Sequence, residues 1–127
     1  MITKKADENA AQIGPQIHHD EAPANYFPVL RNIAAWMPKN AILSAEGVGT
    51  MDIGLTQLSS FSARSCLTDG AYGPMGIGLG HAIAACVVHP DGPVTHLSGD
   101  SAAERSQPSW PSAPSRRLAV ATGNRRP

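Results

Sequence analysis

MGIGLGHAIAACVVHPDGPVTHLSGDS, residues 75–101, holds a helix, a turn and a strand in one unbroken run. Residues 75–88 are apolar apart from His81 and include three glycines. The run falls short of the roughly 18 uninterrupted apolar residues that a membrane-spanning helix needs, so it predicts a helix buried in a globular domain. Gly76, Gly80 and Ala84 recur every four positions, which predicts a small-residue stripe lying close to a sheet or a bound molecule. His89-Pro90-Asp91-Gly92 is a turn sequence. Residues 93–98 form the strand, which runs into Gly99-Asp100-Ser101. Upstream, residues 41–45 (AILSA) are a second short apolar run, leading into Glu46-Gly47-Val48-Gly49-Thr50. Strand, helix and strand make a βαβ unit, and its crossover requires parallel strands. The fold expected is therefore α/β, a partial parallel sheet with flanking helices. Ligands of such sheets sit beyond the carboxyl ends of the strands. Both strand ends here meet a glycine and an acid, and eight of the twelve glycines fall between positions 47 and 80.

Outward from this unit the signals weaken. Residues 3–12 (KKADENAAQI) favour helix through Ala, Lys, Glu and Gln, with Gly14 and Pro15 expected to end it. Asn25 is expected to cap a second helix through Met37, in which Phe27, Leu30, Ile33 and Ala34 recur at helical spacing. A weaker helix is expected over 51–61, followed by a loop at 68–74. The chain divides into residues 1–24, a linker and helix; 25–102, the partial domain; and 103–127, a tail rich in Arg, Pro and Ser. That tail is expected to be disordered, with only Leu118-Ala119-Val120 resembling a strand. The formal net charge of zero conceals the same division. Residues 1–102 carry five basic and nine acidic side chains, and residues 103–127 carry five arginines and one glutamate, so −4 cancels +4.

Several classes are excluded as expectations. The start, MITKKADENA, has no apolar leader segment, so a cytoplasmic protein without membrane attachment is expected. Cys66 and Cys86 stand twenty residues apart and fit reduced thiols better than a disulfide framework. The five histidines show no zinc-type spacing. The arginine-rich tail has one aromatic, Trp110, and no repeat, which favours a solvated tail over a nucleic-acid arm.

Among single residues, Asp100 is the sharpest candidate. A carboxylate on a glycine turn after a buried strand suits Mg²⁺, which takes one or two protein carboxylates and leaves other positions to phosphate and water. The competing role is a turn aspartate bonded to its own backbone. Met75, between Gly73-Pro74 and Gly76, suits an apolar support for a flat ring, or a core methionine at a helix start. The glycines at 73, 76, 78 and 80 do not fit G-x-G-x-x-G. Glu46 and Asp52 fit solvated or helix-start roles. His81 fits a satisfied core histidine, and neither cysteine has a base partner that would make it a nucleophile.

In order, EGVGTMDIGLTQL (46–58), LTDGAYGPMGIGLGHAIAACVV (67–88) and SGDSA (98–102) resemble the thiamine-diphosphate-binding domain of oxalyl-CoA decarboxylases. They are similar to the related 2-hydroxyacyl-CoA lyases nearly as well. The resemblance extends upstream through KKADENAAQI and NYFPVLRNI and covers residues 4 to 102. It implies a fragment of the cofactor-binding domain of a thiamine diphosphate- and Mg²⁺-dependent carbon–carbon lyase acting on an acyl-CoA. Oxalyl-CoA would give formyl-CoA and CO₂; a 2-hydroxyacyl-CoA would give formyl-CoA and an aldehyde. Asp100 matches the metal ligand, with Ser101 and Ala102 at the phosphates. Gly73, Pro74 and Met75 match the segment under the aminopyrimidine, Val48, Gly49 and Thr50 the loop after the first strand, and Tyr26 a cofactor-contacting tyrosine. Asn9, Leu55 and Thr56 fall on the acyl-CoA side. The family is homo-oligomeric.

The departures set expectations of their own. Gly49 replaces an Asn, Leu55 replaces an Arg, and Pro74 stands where a small residue with a free N–H is common. After Ala102 the family's FGFSGME gives way to AERSQPSWPSAPSRRL, without the later Asn that completes the Mg²⁺ shell, as a frameshifted or truncated reading frame would do. The family's activating glutamate belongs to a different domain. The chain alone is therefore expected to be inactive, and the alternative to a lyase fragment is a non-catalytic truncated module.

Overall fold

A computed structural model describes residues 2–18, 26–106 and 118–123. Five helices and four strands alternate along them: α1 (Ile2–Ile17), α2 (Tyr26–Trp36), β1 (Ile42–Glu46), α3 (Val48–Leu55), β2 (Cys66–Thr68), α4 (Gly78–Val88), β3 (Val94–Gly99), α5 (Asp100–Ser106) and β4 (Leu118–Gly123). A single 3₁₀ turn, Gly70–Tyr72, follows β2. The strands form one sheet in the order β2-β1-β3-β4, with every pair parallel. The α/β class is as the sequence predicts.

Side-chain alternation divides the two faces. Leu43 and Ala45 of β1 and Leu97 of β3 point to one face and form a core with Leu30 of α2 and Leu58. Tyr26, Met51 and Ile53 pack against this cluster. On the other face Ala82, Ala85 and Cys86 of α4 cover Val94, with Ile42 and Leu67 alongside. The chain leaves β1 for β2 on one side, and α4 then carries it back to β3 on the other. The carboxyl ends of β1 and β3 thus flank the point where the strand order reverses, the usual place for a ligand in an open parallel sheet.

Several elements depart from expectation for identifiable reasons. Helix α1 continues through Gly14 and Pro15 to Ile17. None of its residues is buried, so the carbonyl that loses its partner at Pro15 faces water, and the disruption falls in the last turn. Helix α3 begins at Val48 and ends at Leu55, shifted back from 51–61, with Gly54 lying against Leu97 of β3. Helix α4 begins at Gly78, because Gly76 has a φ of +95° and stands outside any helix. The expected stripe of Gly76, Gly80 and Ala84 does not face the sheet; Gly78, Leu79, Ala82, Ala85 and Cys86 do.

Helix α5 carries the chain past Ala102 to Ser106, and the strand-like run at Leu118 lies in β4, paired with β3 from Val94↔Leu118 to Gly99↔Gly123. The expectation of disorder for the rest of the tail, and that of an Asn25 cap, fall outside the described residues. Neither cysteine is in a disulfide among the described residues, Cys66 being exposed and Cys86 buried. Among the described residues no helix is long and apolar enough to cross a membrane.

Candidate functional site

Three segments converge at the carboxyl end of the sheet. The first is the start of α3, where Val48, Gly49 and Thr50 follow Gly47 directly after β1. The second is the loop 73–77 between the 3₁₀ turn and α4. The third is the start of α5, where Asp100, Ser101 and Ala102 follow β3. A Cβ placed on Gly47 would lie 3.7 Å from Ala102 Cβ, and one on Gly99 would lie 2.9 Å from Thr50 Oγ1. A Cβ on Gly73 would lie 3.6 Å from Val48 Cγ2, and one on Gly76 would lie 3.2 Å from Arg105 Cβ. The three expected cofactor segments are therefore neighbours.

Their outer surface is apolar and open. Val48 and Tyr72 are exposed, and Met75 is 42% exposed, outside α4 and outside the core. Asp100 is exposed, and its Oδ1 accepts a 2.8 Å hydrogen bond from the Ser101 N–H. Among the described residues no three His, Cys, Asp or Glu side chains gather into a metal site. A lone carboxylate of this kind fits Mg²⁺ shared with phosphate oxygens and water, and does not fit a cation held by protein alone. The open space beside Gly49 and the exposed Val48 and Met75 fit an organic group lying across the ends of β1 and β3.

Other expected site residues stand apart. Tyr26 packs against the Leu30–Leu97 core. Leu55 and Thr56 lie at the far end of α3, roughly 10 Å along the helix from Val48. Asn9 lies on the exposed α1.

Beneath the convergent loops lies a buried polar network that sequence reasoning missed. On the α4 face, β1 changes from Ile42 to Ser44 and Glu46, while β3 changes from Val94 to His96 and Ser98. Ser44 pairs with His96 and Glu46 with Ser98 across the strands. Glu46, Ser44 and Ser98 are wholly buried, and His96 nearly so. Glu46 Oε2 accepts from the N–H groups of Gly76 at 2.8 Å and Gly78 at 3.0 Å. Its Oε1 accepts from Ser98 Oγ and Ser106 Oγ, both at 3.2 Å, and lies 3.4 Å from His96 Nε2. Ser44 Oγ donates to the Gly78 carbonyl at 2.8 Å and lies 3.3 Å from His96 Nδ1. The readable signal was period-2 polarity at matching ends of both strands. Glu46 does have a helix-start role, but buried, and at α4 rather than at the helix that follows it in sequence.

The charges follow from these contacts. Burial pushes the Glu46 carboxyl up, yet the N–H groups of Gly78 and Gly76, the His96 ring and the Ser98 hydroxyl together hold it below its ordinary 4.5. Burial holds His96 below its ordinary 6.5, against the pull of Glu46. Asp69, whose side chain is wholly buried with neither oxygen hydrogen-bonded, is pushed above its ordinary 3.8 by burial and by Glu46, and His81 works against this. His81 is not the satisfied core histidine expected: its ring is 40% exposed, and its Nδ1 lies 3.8 Å from Asp69 Oδ1 without a hydrogen bond.

A pH dependence of stability follows. Below 6.5 the unfolded His96 takes a proton that the folded one refuses, so stability falls as pH drops from 6.5 through the folded value. Glu46 contributes stability that is complete above 4.5 and is lost as pH falls through its lowered folded value. Asp69 has the opposite sign, since its raised value favours the folded state at acid pH. Urea unfolding at successive pH values is expected to show a first loss below 6.5 that disappears in His96→Gln. A wild-type midpoint that stays flat down to pH 5 would refute this assignment.

Comparison with known proteins is consistent with this geometry. A family model described as "Thiamine pyrophosphate enzyme, C-terminal TPP binding domain" matches residues 40–108. The chain is 38% identical over 104 residues to 2-hydroxyacyl-CoA lyase of Arabidopsis thaliana, an alignment covering 79% of the chain and 18% of that protein. It is 37% identical over 90 residues to 2-hydroxyacyl-CoA lyase 1 of Homo sapiens, covering 71% of the chain and 16% of the relative. It is 34% identical over 97 residues to oxalyl-CoA decarboxylase of Escherichia coli (strain K12), covering 75% of the chain and 17% of the relative. The matched region thus spans less than a fifth of each of these curated relatives.

Proposed function

Because the chain belongs to the thiamine pyrophosphate enzymes through their C-terminal TPP-binding domain, we propose that it is part of the cofactor domain of a lyase cleaving the carbon–carbon bond next to an acyl-CoA carbonyl. The observation that carries this reading is the meeting of three segments, 48–50, 73–75 and 100–102, at one end of the parallel sheet. Asp100 would hold Mg²⁺, with the Ser101 and Ala102 backbone at the diphosphate. Met75 and Val48, exposed on either side of Gly73, would carry the rings. The bound cofactor supplies a carbon nucleophile and an electron sink for breaking that bond. The chain's own residues bind and orient it. The resemblance to the family implies that the acid that activates the cofactor comes from another domain or polypeptide, so these 127 residues are proposed to have no turnover of their own.

For the intact enzyme, identities of 33% to 40% to 2-hydroxyacyl-CoA lyases bracket the 34% to oxalyl-CoA decarboxylase, so the proposed substrate is an acyl-CoA, oxalyl-CoA with a 2-hydroxyacyl-CoA as the alternative. Cys66 and Cys86 form no disulfide with each other, in keeping with the proposal of a reducing compartment such as the cytoplasm. The test is titration of the full chain with thiamine diphosphate, with and without Mg²⁺, followed by backbone amide shifts. Saturable, Mg²⁺-dependent binding that moves Gly49, Thr50, Gly73, Met75 and Ser101 is expected. Binding that moves none of them, or no binding at millimolar cofactor, would overturn the reading.

A further inference from the structure

Glu46 is tied to both sides of the site at once. One carboxylate oxygen takes the N–H groups of Gly76 and Gly78, which fix the loop bearing Met75. The other takes the hydroxyls of Ser98, two residues before Asp100, and Ser106, in the last turn of α5. Helix α5 begins with Asp100. The loop and α5 also touch directly, since Gly76 lies against the Arg105 backbone and Cβ. The Glu46 contacts with Gly78, Ser98 and Ser106 are buried, where water does not compete for the carboxylate, and that with Gly76 is partly buried.

We infer that Glu46 is a positioning residue that couples the two halves of the cofactor cradle, so that filling the diphosphate–metal half at Asp100 orders the ring half at Gly73–Met75. The inference rests on the cofactor reading above. The physical route is short. A ligand on Asp100 and Ser101 fixes α5; α5 fixes Ser106 against Glu46 Oε1; and the same carboxylate holds the Gly76 and Gly78 amides through Oε2. Gly76 adopts a φ of +95°, open to it because it has no Cβ, and its N–H is tied to the Glu46 carboxylate. Coupling of this kind is reciprocal: ordering the ring loop tightens the diphosphate half by the same factor.

The test uses the full chain with Mg²⁺ and inorganic pyrophosphate, a probe that fills the diphosphate half and cannot reach the ring half. Amide hydrogen exchange is read at Gly76 and Gly78, and binding itself is read from the Ser101 amide shift. In the wild type, saturating probe is expected to slow exchange at Gly76 and Gly78 by about fivefold or more. Ser106→Ala cuts the α5 arm and leaves both loop bonds in place. It is expected to bind the probe yet lose the slowing. Glu46→Gln, which keeps an acceptor but removes the charge, is expected to weaken it. Undiminished slowing in Ser106→Ala, or wild-type probe binding with no slowing, overturns the inference and leaves the cofactor reading intact. Failure of the probe to shift Ser101 at all overturns both.

Discussion

Replacing Gly78 by valine is expected to abolish the folded state. A Cβ at this position would lie 2.8 Å from Glu46 Cβ and 2.9 Å from both Cγ and Cδ, closer than real Cβ atoms approach. A flexible neighbour would swing away, but Glu46 is held at both oxygens by Gly76, Gly78, Ser98 and Ser106. Displacing it strands buried N–H and hydroxyl groups, each costing about 1–3 kcal/mol, in addition to about 1–3 kcal/mol for overpacking. The total rivals the ~5–15 kcal/mol that holds an ordinary domain together. Gly80→Ala on the same helix is the control. Nothing lies within 4 Å of its Cβ position, so the exchange is expected to stabilise by about 0.5–1 kcal/mol through helix propensity. Circular dichroism and urea midpoints of the two variants separate a requirement for glycine at position 78 from a general effect of substitution in α4. A folded Gly78→Val with a wild-type midpoint would show that Glu46 is not pinned.

The same contrast explains what the sequence made legible. Strand and helix periodicity places Leu43, Ala45 and Leu97 on one face and the apolar helix over the other, because burial writes itself as a period. The segments Val48–Thr50, Gly73–Met75 and Asp100–Ala102, proposed to hold the cofactor, are legible because glycine marks the start of each: Gly47, Gly73 and Gly99. The role of Glu46 was hidden because its partners lie 30 to 60 residues away, on a loop, a strand and a helix. Within AEGVG alone the acid favours solvation, and only the matching period-2 polarity of Ser44-Glu46 and His96-Ser98 on the two strands signals that it turns inward. The start of α4 was misplaced for a related reason. Apolar content continues to Met75, but the Gly76 and Gly78 amides are taken by a carboxylate from another element, and the backbone at Gly76 turns to meet it.

Asp100→Ala is expected to remove Mg²⁺-dependent binding of thiamine diphosphate while leaving the fold in place. Asp100 is exposed, and its Oδ1 accepts a hydrogen bond from the Ser101 N–H next to it. Losing that bond costs no more than about 1 kcal/mol, the usual worth of such a helix-start contact. Its role toward a cation is of another size. Among the described residues it belongs to no group of three or more His, Cys, Asp or Glu side chains that could hold a metal ion. Loss of even an outer-shell partner of a metal commonly costs 10–100-fold in affinity, so loss of the carboxylate ligand is expected to cost at least about 100-fold, or about 3 kcal/mol. Because Asp100 would hold the proposed Mg²⁺ together with the cofactor's phosphate oxygens, the loss should appear as disappearance of the Mg²⁺ dependence, not as a uniform weakening. Asp52→Ala removes the same charge from α3 and is expected to leave both the affinity and its Mg²⁺ dependence unchanged. Equal weakening by the two variants would reduce Asp100 to a contribution of net charge, and unchanged Mg²⁺-dependent binding in Asp100→Ala would remove it from the site.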